Sequence, residues 1–420
     1  MKRGISIIGA GPAGLIAAIY AARTGVPVTI IEANAQPGRK LLLTGGGRCN
    51  FTHAGRTDEI VQAFGKAGRF LRYSLHESPP ADIIEFFQAR GVPATAQSDG
   101  CVFPTSNKAA DVLDVLLREA QTLGVHFSHR AVVTDVRAYD EGFAVHTSAE
   151  PIRATRVIIA TGGVSWPQTG STGDGYRFAA ALGHTIIPPK PALVPLVAQE
   201  RWAGELAGIS LPLVKIQTTV GNHRITSAGP MLFTQSGVGG PAVLDLSRLL
   251  ADELFGATHD ITVKIDVVAR FDESQLDRQF QERVQAHPRK AVAGILAEFV
   301  PRQLAQVLCR LARCDGDLQA GQLKAELRRR LIASAKALPL SITGAEPIAK
   351  ATVTRGGVST EQIEPKTMES KLRTGLFFAG EVIDVDGPCG GYNLQMCWST
   401  GAVAGRAAAG PLRELNRTFR

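Results

Sequence analysis

The sequence predicts an α/β fold in which the two ends of the chain build one nucleotide-binding domain and the middle forms an inserted unit. Three observations carry that prediction. Near the start, the apolar run Gly4–Ile8 enters the turn Gly9-Ala10-Gly11-Pro12-Ala13-Gly14, then an Ala-rich stretch, then a second apolar run ending at Glu32. Near the end, Leu376-Phe377-Phe378-Ala379-Gly380-Glu381 precedes Gly390-Gly391-Tyr392-Asn393. Between them the composition shifts at Pro188, Pro189, Pro191 and Pro195, which break helix and mark a boundary.

The opening segment reads as a βαβ unit. Gly9 allows the tight turn, Gly11 lets the backbone reach a pyrophosphate, and Gly14 permits close helix–strand contact. The helix that follows presents free N–H groups and its positive dipole end to the phosphates. Glu32 stands 18 residues after Gly14, about where an acidic side chain bonds ribose hydroxyls. Returning to the same site at the far end of the chain suits a flavin dinucleotide, which is long enough to need both ends held.

The next segment, Gly38 to Thr52, contains Arg39, Lys40, Thr44, the triplet Gly45-Gly46-Gly47, Arg48, Cys49 and Asn50. Three adjacent glycines flanked by cations suit a loop folded against an anion with its amides turned inward. Periodicity then predicts helices over 58–75, 81–90 and 109–123, and strands over 125–128, 131–137, 142–147 and 152–160. The last strand stops at Ala160-Thr161-Gly162-Gly163, as a chain does on re-entering a flavin-binding sheet. Ser165 to Tyr176 reads as a structured loop before a helix over 175–182; its glycine spacing is not that of a second dinucleotide turn.

The insert begins with strand-like stretches, including 211–220 and 261–268, and continues with helical periodicity over 271–336. Residues 270–336 hold 13 Lys and Arg against 8 Asp and Glu, a net of +5 out of +8 for the whole chain of 420 residues. The basic balance fits anionic cofactor phosphates, and it also admits an RNA partner through the helical part of the insert. The chain returns with strands over 351–358 and 375–380. Glu381 is placed to bond ribityl hydroxyls, and the helix opening at Gly390–Asn393 is placed to stabilise negative charge on a reduced flavin ring.

Six scattered cysteines, none in a C-x-x-C pair, exclude a disulfide scaffold, a zinc site and a thioredoxin-like motif, and point to a reducing cytoplasm. No apolar run is long enough to span a bilayer, so no membrane association is expected, and no metal.

These motifs resemble the BaiN/YhiN-like family of FAD-dependent flavoproteins nearly end to end, over Gly9–Gly14, Gly38–Thr52, Val157–Gly163, Ser165–Tyr176, Phe233–Ser247 and Ile363–Gly401. The resemblance implies a glutathione-reductase-like FAD-binding Rossmann domain from residues 1–192 and 347–420. An insert over 193–346 would be β-rich at 193–270 and helical at 271–336. The cofactor contacts expected are Gly9 to Gly14, Glu32, Arg39, Lys40, Thr44, Gly45 to Gly47, Asn50, Val133, Thr161, Gly162, Gly380, Glu381, Gly390, Gly391, Asn393 and Leu394. Two departures stand out. Family members usually carry His where this chain has Gln235, and the pair before Gly390 is Pro388-Cys389.

The implied chemistry is an FAD-dependent oxidoreductase. In the leading reading it is an NAD(P)H-dependent reductase, passing hydride by way of flavin N5 to a conjugated C=C or carbonyl of a small molecule. No second dinucleotide motif lies between residues 160 and 350, so the nicotinamide would be a transient donor. Two other readings are an oxidase or dehydrogenase of small amines and an enzyme reducing uracil in ribosomal RNA. Tyr392, Cys389, Arg48 and Cys49 are positional candidates for the proton donor that a reductase needs.

Overall fold

The computed structural model describes residues 4–255 and 261–410. The chain divides into two compact units, one made of residues up to Pro191 together with those from Thr352 onward, the other of Ala192–Ala351.

The first unit is built on a five-stranded sheet in the order Leu376–Phe378, Arg156–Ile159, Ile5–Ile8, Val28–Ile31, His126–Ser128. All four pairings are parallel. Parallel strands are covered on both faces and so read as continuous apolar runs; Ile5–Ile8 and Arg156–Ile159 are buried at every position. The chain moves outward in opposite directions from Ile5–Ile8, to Val28–Ile31 on one side and Arg156–Ile159 on the other. Ligands of such sheets sit at the carboxyl ends of the strands where the order reverses. The two turns at that point approach closely: a Cβ on Gly9 would lie 2.6 Å from the carbonyl oxygen of Ala160.

The two chain ends are knit by their helices. Pro12–Ala22 packs against Tyr392–Ala409 through small residues. A Cβ on Gly401 would lie 2.5 Å from Ala13 O, and one on Gly405 2.2 Å from Ala17 O. Only glycine lets the backbones meet so closely, which makes the C-terminal helix part of the N-terminal βαβ unit.

The β-rich half of the second unit is a closed six-stranded barrel in the order Leu196–Ala198, Gly237–Gly239, His223–Phe233, Ser210–Val220, Ile261–Asp266, Leu338–Ala345. Its described strand pairings are antiparallel. The helices Glu273–Ala286, Arg302–Leu311 and Ala325–Lys336 share its hydrophobic core. Asp272 starts the first of these with a capping box, its carboxylate accepting from Gln275 N at 2.7 Å.

Two expectations need correction. The helix over 58–75 is two helices, Thr57–Ala63 and Gly68–Glu77, joined by a 3-10 turn over Gly65–Ala67. Gly65 takes φ +57°, and a Cβ at Gly68 would lie 2.0 Å from Val61 O. The apolar spacing continues through the break, so periodicity alone does not show it. The strand over 152–160 is likewise two, Ile152–Ala154 and Arg156–Ile159. The first joins the antiparallel sheet of 133–139 and 142–147, the second the parallel sheet. Thr155 marks the change, its amide bonded to Gly4 O at 3.0 Å.

Candidate functional site

The first half of the site grows from the glycine turn. Pro12 starts its helix with no side-chain cap on the first turn, so early N–H groups remain available to a ligand. Nothing lies within 4 Å of where a Cβ on Gly11 would stand, whereas a Cβ on Gly14 would sit 2.0 Å from Gly9 O. The first glycine therefore faces open space and the second serves packing. Glu32 is buried at the end of its strand. One carboxylate oxygen accepts from Ala10 N at 2.9 Å; the other accepts from Asn34 N at 2.8 Å and Asn34 Nδ2 at 2.7 Å. The carboxylate locks the glycine turn to the strand end and keeps lone pairs for a hydroxyl donor. Arg39 donates to Asn34 Oδ1 at 2.8 Å, and Gly38 N donates to Ala10 O at 2.9 Å, which draws the second glycine-rich segment to the first.

In that segment Gly45, Gly46 and Gly47 take φ +58°, +68° and +88°, three successive left-handed residues that non-glycine side chains would strain. They are exposed, and nothing lies within 4 Å of a Cβ on Gly46. Thr44 Oγ1 turns back to Leu41 O at 2.6 Å. The Arg48 guanidinium lies 4.4 Å over the Phe103 ring and its Nε donates to Gly45 O at 3.1 Å. Arg48 thus braces the loop, a role its position in sequence does not distinguish from catalysis.

Lys40 is not a free cation. Its Nζ lies 2.7 Å from Glu381 Oε2 and 2.6 Å from Ser165 Oγ. Glu381 Oε1 accepts from Thr354 N at 2.6 Å and Ser165 Oγ at 3.1 Å. The acidic residue of the C-terminal motif and the lysine of the N-terminal loop neutralise each other, joining four segments beside the strand ends. Nearby, Thr161 Oγ1 is buried without a hydrogen-bond partner.

The second half of the site is the start of the C-terminal helix. Gly390 and Gly391 take φ +115° and +94°, and the helix Tyr392–Ala409 opens without a side-chain cap. A Cβ on Gly391 would lie 2.2 Å from Thr52 O, so this turn is pressed against the end of the loop segment. Asn393 serves that turn: its Oδ1 accepts from Gly387 N at 2.8 Å and its Nδ2 donates to Gly387 O at 3.0 Å. Asn50 Oδ1 accepts from Val102 N at 3.1 Å. In both, the side chain orders backbone: that of Val102 for Asn50 and that of Gly387 for Asn393. Leu394 packs against the hydrophobic core and Val133 is buried in it.

Cys49 is poorly placed to exchange a proton with a substrate. It is fully buried, and burial pushes its thiol up to about 12. Cys389 is half-buried in the turn before Gly390. Gln235, in the other unit, is exposed between the strands His223–Phe233 and Gly237–Gly239.

Sequence reading missed one group. His53, directly after the Gly38–Thr52 segment, stacks on Tyr392 with ring centroids 4.4 Å apart, and its Nδ1 lies 2.9 Å from Gly390 O. Cys101 pairs with it across the strands Thr52–His53 and Cys101–Pro104. The only signal was adjacency to the glycine-rich run.

The residues present fit an extended dinucleotide: two uncapped helix starts, an open approach at Gly11, an acidic strand end and an unpartnered buried hydroxyl. Residues 3–407 match the family described as HI0933-like protein Rossmann domain. The chain belongs to that family. It is 33% identical to a 3-dehydro-bile acid delta(4,6)-reductase of Clostridium scindens, over 96% of this chain and 98% of the relative. It is 32% identical to a ribosomal RNA dihydrouridine synthase of Escherichia coli, over 94% and 95%. Among solved structures, the fold is similar to that of a 3-ketosteroid-delta4-(5alpha)-dehydrogenase from Rhodococcus jostii RHA1, at TM-score 0.50 and 16% identity over 97% of this chain and 96% of that one. The protein is an FAD-dependent oxidoreductase with a Rossmann-type cofactor domain. Among the described residues no helix is long and apolar enough to cross a membrane.

Proposed function

We propose that this protein is an NAD(P)H-dependent flavin reductase of a C=C bond conjugated to a carbonyl. Two relatives matched over nearly their whole length carry names that share this chemistry, one on a bile acid and one on uridine in RNA. Those two names support the reductase reading; the architecture of the second unit bears on how a nicotinamide would be used. Its sheet is an antiparallel barrel, and its described residues form no parallel βαβ turn to hold a second dinucleotide. A nicotinamide would therefore visit the flavin and leave, and the oxidising substrate would take its place.

The chain's own residues bind and orient. The start of Pro12–Ala22 and the Gly11 backbone receive the pyrophosphate, and Glu32 receives the ribose hydroxyls. Each favourable helix-end interaction contributes about 0.3–1 kcal/mol. The Lys40–Glu381 pair holds the strand ends at the ribityl side, and the start of Tyr392–Ala409 supplies positive potential for the ring. FAD, when bound, supplies two-electron hydride chemistry.

The RNA reading is favoured by the ribosomal RNA relatives and the basic helices. Arg328 pairs with Asp277 at 2.8 Å and Arg330 with Glu326 at 2.6 Å, so neighbouring carboxylates offset two of the three consecutive arginines. Anaerobic mixing with NADH and NADPH tests the main reading: bleaching of the flavin supports it. Bleaching by small amines instead, with peroxide on re-aeration, refutes it in favour of an oxidase.

A further inference from the structure

We propose that His53 is the proton donor of this flavin site; the proposal rests on the reductase reading above. A reductase that adds hydride to one carbon must protonate the other. Two thiols near the Gly390 turn and the loop, Cys49 and Cys101, suit this poorly: burial lifts them to about 12 and about 11. Arg48 is occupied in bracing its loop. Imidazole is the side chain whose ordinary titration lies closest to neutral pH.

His53 is held from three sides. Its strand pairs with Cys101, its ring stacks on Tyr392 at 24° to the plane, and Nδ1 lies 2.9 Å from Gly390 O. The carbonyl can only accept, so Nδ1 carries a proton and donates. Nε2 is then the exchangeable position, and it has no hydrogen-bond partner among the described residues. A Cβ on Gly100, which has φ +87°, would lie 2.3 Å from Nε2; glycine there leaves room for the ring. The supporting strand is itself anchored to the C-terminal helix. Trp398 Nε1 donates to Phe51 O at 2.7 Å and Thr52 Oγ1 to Gln395 Oε1 at 2.6 Å. The ring is thus fixed against the turn that opens the helix assigned to the flavin ring, with Nδ1 spent on orientation and Nε2 without a hydrogen-bond partner among the described residues.

The step balances as follows. The carbon β to the carbonyl takes a hydride, two electrons that a nicotinamide has supplied by way of the flavin. The C=C π bond breaks, and the α carbon forms its new C–H bond with the proton from Nε2 of the imidazolium. His53 is left neutral, with the Nδ1 proton still on Gly390 O, and solvent reprotonates Nε2.

The test compares wild type with His53→Gln. Acceptors are ferricyanide, which needs no carbon protonation, and a panel of 2-cyclohexen-1-one, testosterone and a uridine oligonucleotide. Carbon-13 NMR of labelled histidines gives a second readout as FAD is added to the apoprotein. The expected result is a ratio of C=C turnover to ferricyanide turnover about 100-fold lower in the variant, with the His53 signal shifting on FAD addition. An unchanged ratio, or a His53 signal indifferent to FAD, overturns the proposal and leaves the reductase reading standing. A wild type that reduces ferricyanide and nothing in the panel removes both. If His53→Gln does not retain FAD, His53→Asn takes its place; loss of FAD in both assigns His53 a structural role and overturns the proposal.

Discussion

Replacing Gly11 with Ala separates binding from folding. Gly11 has ordinary dihedrals, φ −78° and ψ −177°, and no atom lies within 4 Å of the added Cβ. The fold loses little: Ala is a poorer helix N-cap than Gly, but it also reduces the entropy of the unfolded chain by about 0.4–1 kcal/mol, so the two effects nearly cancel. The methyl enters the space assigned to the pyrophosphate. Overpacking of that kind costs about 1–3 kcal/mol, or about 5- to 150-fold in Kd. Gly14→Ala is the counterpart. Its Cβ would lie 2.0 Å from Gly9 O, a backbone atom that cannot swing aside, so the helix must shift and the apoprotein itself loses about 1–3 kcal/mol. The assay is FAD titration by flavin fluorescence, with apoprotein melting alongside. Gly11→Ala should melt like wild type and bind FAD weakly. If Gly11→Ala binds FAD as wild type does, the pyrophosphate is not at this turn and the reasoning fails.

Other outcomes follow from the same contacts. Lys40→Met leaves Glu381, whose side chain is only 12% exposed, without its cation, and denaturant unfolding should show a loss of about 1–3 kcal/mol. Gly391→Ala should be more disruptive than Gly46→Ala in expression and melting, because only the former drives a methyl into Thr52 O. Buried His184 receives the Ser370 hydroxyl at 2.8 Å and faces Phe378 and Arg373; burial first, and then Arg373, holds its imidazole below the ordinary range. Its folded value lies below the unfolded value of about 6.5. The unfolded chain therefore takes up the extra proton, and stability present above about pH 6.5 declines as pH falls toward the folded value. Melting temperature should drop from pH 7.5 to 5.5, and less so in His184→Gln. Alkylation of the native protein at pH 8 should spare Cys49, fully buried and pushed up to about 12, as read by mass spectrometry; rapid labelling of it contradicts that burial.

What the sequence made legible is local or cofactor-directed. Gly9 to Glu32 forms its strand, turn and helix from neighbours in the chain, and the glycine spacing carries the dinucleotide signature with it. The return of the C-terminus was also legible, because Gly390–Asn393 repeats the turn-into-helix logic. Less visible was what each side chain does once folded. Lys40 reads as a cofactor contact, and its pairing with Glu381, 341 positions away at 2.7 Å, is invisible in the sequence. Asn50 and Asn393 read as ligand contacts, and each also holds backbone: Asn50 that of Val102, 52 positions away, and Asn393 that of Gly387. His53 carries no motif, and only the tertiary approach of Thr52 to Gly391 gives it a place. The break at Gly65 was hidden because the apolar rhythm runs through it.

The most direct measurement of the central claim is anaerobic reduction of the purified holoprotein, followed at the visible flavin band. Bleaching by NADH or NADPH, with recovery on adding a conjugated enone, is the result expected. A flavin untouched by either nicotinamide but bleached by amines, with peroxide formed on re-aeration, would contradict it.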